Sequence, residues 1–151
     1  MVEAGKDREG AERTVLSNMR IDVKVTPGET NGELLVVEHT DYHRGGPPKH
    51  VHLHQDEWFY VLEGSYRFVI GDESHELKQG DSILAPKNVP HVFAHVGDGL
   101  GRVLIAYQPA GQMAGFFDEL AQLDGLPPME ELARLFRVHG MELLGPPLLA
   151  H

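Results

Sequence analysis

The chain has 151 residues, 41% of them hydrophobic, which is enough for one domain with a core of its own. Thirteen Lys and Arg against 23 Asp and Glu leave a formal net charge of −10, which speaks against nucleic acid and against an anionic membrane surface as partners. Cysteine is absent, so disulfides, thiolate metal sites and cysteine nucleophiles are excluded, and a cytoplasmic location is the expectation.

Residues 1–13 carry Lys6, Asp7, Arg8 and Glu9 among small residues. They lack the apolar region of a secretory signal and read as a flexible, solvated tail. No apolar run approaches the ~20 residues of a membrane span. Residues 14–151 read as one domain, with strands to about 109 and a helical extension over 110–151.

Ile21, Val23 and Val25 alternate with polar residues up to Pro27-Gly28, and Glu33–Thr40 forms a second extended run. Gly45-Gly46-Pro47-Pro48 marks a loop before a short extended segment at Lys49–His54. Glu57–Leu62 is aromatic and β-branched, and Glu63-Gly64 turns it. Gly71-Asp72 is a two-residue hairpin signal between Tyr66–Ile70 and Glu73–Lys78. After a turn at Gly80-Asp81 come Ser82–Ala85, His91–Val96 and Arg102–Tyr107. Many short strands with regular turns indicate a sandwich or barrel.

The period then changes. Met113, Phe116, Phe117, Leu120 and Leu123 follow the spacing of an amphipathic helix. Pro127-Pro128 interrupts, and Glu130, Glu131, Arg134 and Arg137 suit the two ends of a second helix that Gly140 caps. Leu143–Leu149 is an apolar tail, expected to lie on the barrel or on a partner chain.

The chemistry concentrates in His50, His52, Glu57 and His91. In a strand, residues i and i+2 share a face, so His50 and His52 can aim their rings at one point from Cα atoms roughly 6.6 Å apart. Imidazoles joined by a carboxylate suit one divalent transition metal, and this ligand set does not choose among Fe, Mn, Ni, Co, Zn and Cu.

The run GGPPKHVHLHQDEWFYVLEG, Gly45 to Gly64, resembles the first motif of the cupin family, with His50, His52 and Glu57 on its ligand positions. The run GDSILAPKNVPHVFAH, Gly80 to His95, resembles the second, with His91 on its histidine. Asn88 stands where Gly is usual, His95 where Asn is common, and the opening Gly lies one or two positions nearer His50 than the pattern. Asn tolerates the left-handed conformation, so the turn at Asn88 can survive. The resemblance implies an all-β fold, the cupin double-stranded β-helix or jelly-roll barrel, with two short C-terminal helices.

The same periodicity suggests a pocket. Phe59 shares a face with Glu57, Phe68 with Tyr66, and Phe93 and His95 with His91; Phe116 could cover the barrel mouth. His54 continues the alternation from His52, toward the same cavity or into the turn at Gln55-Asp56. His39, His43, His75, His139 and His151 have no supporting spacing and read as surface. The aromatic residues suit an apolar or aromatic small molecule, and no basic cluster is present to hold phosphate.

Three histidines and a carboxylate leave a metal position open, as catalysis requires. Glu57 then serves as ligand, as general base, or as both. The resemblance extends to quercetinase-like monocupins and implies an O₂-dependent dioxygenase acting on a small aromatic or hydroxy-keto/enediol compound, working as a homodimer. Two alternatives stand beside it: a Lewis-acid isomerase, cyclase or lyase of a small keto compound, and a non-catalytic binding cupin.

Overall fold

The computed structural model describes residues 1–149. Strands β1 (Arg13–Val15), β2 (Met19–Val25), β3 (Leu35–Asp41), β5 (Asp56–Glu63), β8 (Ser82–Ala85) and β10 (Gly101–Gln108) form one antiparallel sheet, in the order β1-β2-β3-β10-β5-β8. Strands β4 (Pro48–His52), β6 (Ser65–Ile70), β7 (Glu73–Lys78), β9 (His91–His95) and β11 (Met141–Pro147) form the other, in the order β11-β4-β9-β6-β7. Helices α1 (Met113–Gln122) and α2 (Met129–Val138) lie between β10 and β11. This is the jelly-roll barrel expected of the sequence.

Alternation builds the interior. Leu35 and Val37 of β3, Phe59 and Val61 of β5, and Val103 and Ile105 of β10 are all buried on one face. The ladders align them: Ile105 stands opposite Val37 on one side and Phe59 on the other. From the second sheet Phe68 faces Phe93 across the β6–β9 ladder, their rings stacked with centroids 5.2 Å apart, and Phe59 meets Phe68 edge-on at 4.8 Å. These aromatics fill the middle of the barrel with apolar area that has left water. Gly71 turns the β6–β7 hairpin at φ +58°, and Asn88 adopts φ +65°, the left-handed conformation its side chain tolerates.

The two ends of the chain close the barrel. Met113, Phe116, Phe117 and Leu120 of α1, with Leu132, Leu135 and Phe136 of α2, turn inward as the helical period requires. The apolar tail does lie on the barrel, as a strand: Met141 pairs with His52 and Leu143 with His50, so β11 covers the free edge of β4 within the same chain. The first thirteen residues, read as a solvated tail, are tied to the sheet. The Asp7 carboxylate accepts from the Val23 backbone N–H at 2.7 Å and pairs with the buried Arg13 guanidinium at 2.7 Å. Arg13 also reaches Asp118 of α1 at 2.6 Å.

Candidate metal centre

Strands from both sheets converge on one point. β4 supplies His50 and His52, β5 supplies Glu57 and β9 supplies His91, directly opposite His50 in the β4–β9 ladder. All four side chains are buried, and one ligand atom from each lies within 4.8 Å of the others. Glu57 Oε2 sits 3.0 Å from His52 Nε2 and 2.9 Å from His91 Nε2. These contacts lack hydrogen-bond alignment, so the three atoms remain buried without a partner. Nitrogens and oxygens crowded together but not aimed at one another are what a shared cation would satisfy.

The outer ring nitrogens fix the tautomers. His50 Nδ1 lies 2.8 Å from the Pro48 carbonyl, which only accepts, so the hydrogen is on Nδ1 and the Nε2 lone pair faces the cluster. His52 Nδ1 lies 3.1 Å from Gln55 Oε1, whose amide group in turn donates to the Ala110 carbonyl at 3.3 Å. That chain orients Gln55 as an acceptor and leaves His52 Nε2 free as a ligand. Gly111 leaves room for it, because a Cβ there would fall on the Gln55 amide.

Electrostatics follow from burial. Burial lowers the pKa of His50 to about 3, helped by the neighbouring His91 and His52, so its ring is neutral and ready to coordinate. At Glu57 burial works to raise the pKa, but the imidazoles of His52 and His91 outweigh it and hold the carboxyl well below its usual range. Burial also works against a charge on His52, and Glu57 overrides it and raises that pKa. Tyr107 stands opposite Glu57 in the β10–β5 ladder, and burial together with the adjacent carboxylate pushes its phenol far above 10.

The family model described as Cupin domain matches residues 36–107, the stretch that contains all four candidate ligands. Over that stretch, just under half of its length, the chain is similar to cupin domains. Protein SchB of Streptomyces halstedii is 33% identical over 61 residues, which are 40% of this chain and 44% of that protein. The match thus spans about half the length of such curated relatives or less. An RmlC-like cupin from Shewanella frigidimarina superposes with TM-score 0.58 at 21% identity, covering 74% of this chain and 96% of that one. The polyketide cyclase RemF from Streptomyces resistomycificus does so with TM-score 0.57 at 21% identity, covering 72% and 80%. At these identities the likeness is one of fold.

A cavity opens from the His50, His52, Glu57 and His91 cluster toward α1. Its volume is about 50 Å³, and Glu57, His50, Tyr107 and His39 are its polar lining among residues such as Ile21, Ile105, Phe93 and Phe116. Of the expected pocket residues, Phe93 and Phe116 border this cavity, while Phe59 and Phe68 are buried in the core behind it. His95 is fully buried away from the ligands, its Nδ1 3.3 Å from the His43 carbonyl and its ring 5.3 Å from that of Tyr66. His54 is exposed, because the chain leaves β4 after His52 and bends there.

Two histidines read as surface are inside. His39 is 4% exposed and held by Asp41; His139 is 5% exposed, with Nδ1 2.9 Å from the Leu135 carbonyl and its ring edge-on to Phe116 at 5.5 Å. Each is buried by a partner distant in sequence or by a helix end, which local spacing does not reveal. His43 is exposed and His75 half-exposed, and His151 lies outside the described residues. Tyr107 and Gln55 were missed altogether. The alternation Val103, Ile105, Tyr107 was the available signal for the first, whereas nothing local marks the second.

Proposed function

We propose that this cupin is a metal-dependent enzyme acting on a small aromatic or hydroxy-keto compound, and that its reaction is an O₂-dependent dioxygenation. The observation that carries the reading is the position of Glu57, at once a member of the four-ligand cluster and a wall of an otherwise apolar cavity. His50, His52, Glu57 and His91 would hold one divalent transition metal. When bound, such an ion supplies Lewis-acid and redox chemistry to an oxygen-donor substrate and O₂.

The chain's own residues supply the remainder. The carboxylate of Glu57, kept ionised by its imidazole neighbours, accepts the acidic proton of an enol or hydroxy-ketone. Tyr107, held neutral by burial and by that carboxylate, stands beside it and adds a polar group to the cavity wall. Phe93, Phe116 and Ile105 exclude water and stack against an apolar body. The absence of Lys and Arg from the lining disfavours phosphorylated substrates.

A panel of flavonols, diketones and hydroxy-aryl ketones, assayed with reconstituted protein in an oxygen electrode, tests the reading. Consumption of O₂ in proportion to product supports it. Full turnover without O₂ would transfer the site to a non-oxidative cyclase or lyase; RemF, with a similar fold, is named a polyketide cyclase. Tight binding of a panel member with no conversion would make it a binding protein.

A further inference from the structure

The cavity that ends on Glu57 and His50 is also bordered by His39, which has no part in the ligand cluster. His39 shares the inward face of β3 with Leu35, Val37 and Asp41, all of them buried. Its Nε2 lies 3.0 Å from Asp41 Oδ1, and Asp41 Oδ2 accepts from the Tyr66 hydroxyl at 2.7 Å. Asp41 and Tyr66 are themselves 2% and 0% exposed. An ionised carboxylate only accepts, so Nε2 carries the hydrogen and the lone pair of the neutral ring is on Nδ1. Nδ1 makes no hydrogen bond among the described residues, yet it is not one of the buried atoms left without a partner. It therefore opens on the cavity. A core histidine that served only packing would have both nitrogens engaged or both enclosed; here one is oriented by a buried carboxylate and the other is presented to the space.

The ladders place this group relative to the ligand cluster. Tyr107 stands opposite Glu57 on one side and Leu35 on the other, and His39 is four residues beyond Leu35 in β3. That is about 13 Å along the strand. Between the two ends the lining is apolar, with Ile105 and Phe93, whose ring meets that of His39 at 5.4 Å.

We propose that His39, oriented by Asp41 and Tyr66, is a second acid–base group of the cavity, exchanging a proton with a hydroxyl of the substrate at the end away from the metal ligands. The proposal rests on the reading of this cavity as a metal-dependent substrate site. It narrows the substrate class to apolar or aromatic molecules with an oxygen function at each end, and the cavity of about 50 Å³ must widen along its apolar wall to admit one. In the exchange the O–H bond of the remote hydroxyl breaks and its electron pair stays on oxygen. The proton bonds to Nδ1, and Asp41 balances the imidazolium that forms. The reverse step returns the proton. Asp41 and Tyr66 act through His39 and are positioning residues.

Zinc-loaded protein and two pairs of chelating probes test this: benzohydroxamate with 4-hydroxybenzohydroxamate, and cinnamohydroxamate with its 4-hydroxy derivative. The hydroxamate addresses the metal, and the phenol extends toward His39 at one of two reaches. In at least one pair the phenol should improve affinity by about tenfold, the worth of one well-made hydrogen bond. His39→Phe should abolish that preference, and Asp41→Asn should reduce it, with zinc content and affinity for the parent hydroxamate unchanged. No preference in either pair for the wild-type protein would overturn the proposal without recourse to a variant. So would a preference that survives His39→Phe. Failure to take up zinc, or to bind the parent hydroxamates, would instead overturn the metal-site reading and this proposal with it.

Discussion

Tyr107 and Glu57 are direct partners across the β10–β5 ladder, both facing inward, so a phenol held neutral lies beside a carboxylate held ionised. The pair joins a candidate metal ligand to the cavity wall. Tyr107→Phe keeps the ring and removes the neutral donor. Zinc content should be unchanged, while the chelator-treated protein should lose about 1 kcal/mol of stability, the order of magnitude for removing a polar group from beside a buried carboxylate. Urea denaturation with and without zinc measures this; equal stability of the two chelated proteins would mean that the phenol does not support Glu57.

Metal retention should divide the surrounding residues into two grades. His52→Ala removes a ligand and leaves Glu57 buried with one imidazole fewer, so elemental analysis should find the variant without stoichiometric metal. Gln55→Ala removes only the acceptor that orients His52 and should weaken metal affinity by about 10–100-fold. Competition against a chelator of known affinity gives both values. If Gln55→Ala bound zinc as tightly as the parent, the orientation of His52 would have another source.

What was legible in the sequence was the periodic part. Alternation put His50 and His52 on one face, the punctuated motifs put Glu57 and His91 with them, and the helical period of Met113 to Leu120 identified the covering helix. What was not legible depends on which strand lies beside which. Tyr107 meets Glu57 through a register between strands distant in the chain. His39 is buried because β3 lies between β2 and β10. Gln55 follows the bend after β4 and turns inward to bond His52, a placement no repeat announces. The first residues looked solvated because composition does not show that Asp7 closes on Arg13 and the Val23 amide.

Acid should unfold the metal-free protein by a route through His50. Its pKa is about 3 when folded and 6.5 in a free chain, so below pH 6.5 the unfolded state binds the extra proton. Stability from this group is present above 6.5 and declines as pH falls toward 3, by up to about 1.4 kcal/mol per pH unit. Glu57, also depressed, steepens the loss below about 4.5. His52, whose folded pKa is raised, acts the other way: its contribution is complete below 6.5 and disappears as pH rises through the folded value. Urea titrations between pH 4.5 and 6.5 should show the slope in the chelated protein and a shallower one in His50→Gln. Parallel slopes in the two proteins would remove His50 as the cause.

Gly101 gives a test of the buried polar end of the barrel that leaves the ligand cluster untouched. A Cβ at this position would fall 2.5 Å from the Tyr66 hydroxyl oxygen and 2.7 Å from Cδ2 of His95. Neither ring can retreat, since both residues are fully buried and the Tyr66 hydroxyl is committed to Asp41. Gly101→Ala should therefore cost about 1–3 kcal/mol through overpacking. Gly28→Ala is the control, because a Cβ there meets nothing within 4 Å and its φ is not positive; it should be neutral or slightly stabilising. Because Asp41 orients His39, Gly101→Ala should also lower the preference for phenol-bearing hydroxamates while leaving zinc content intact. A variant as stable as the Gly28→Ala control would show that the barrel end yields where close packing says it cannot.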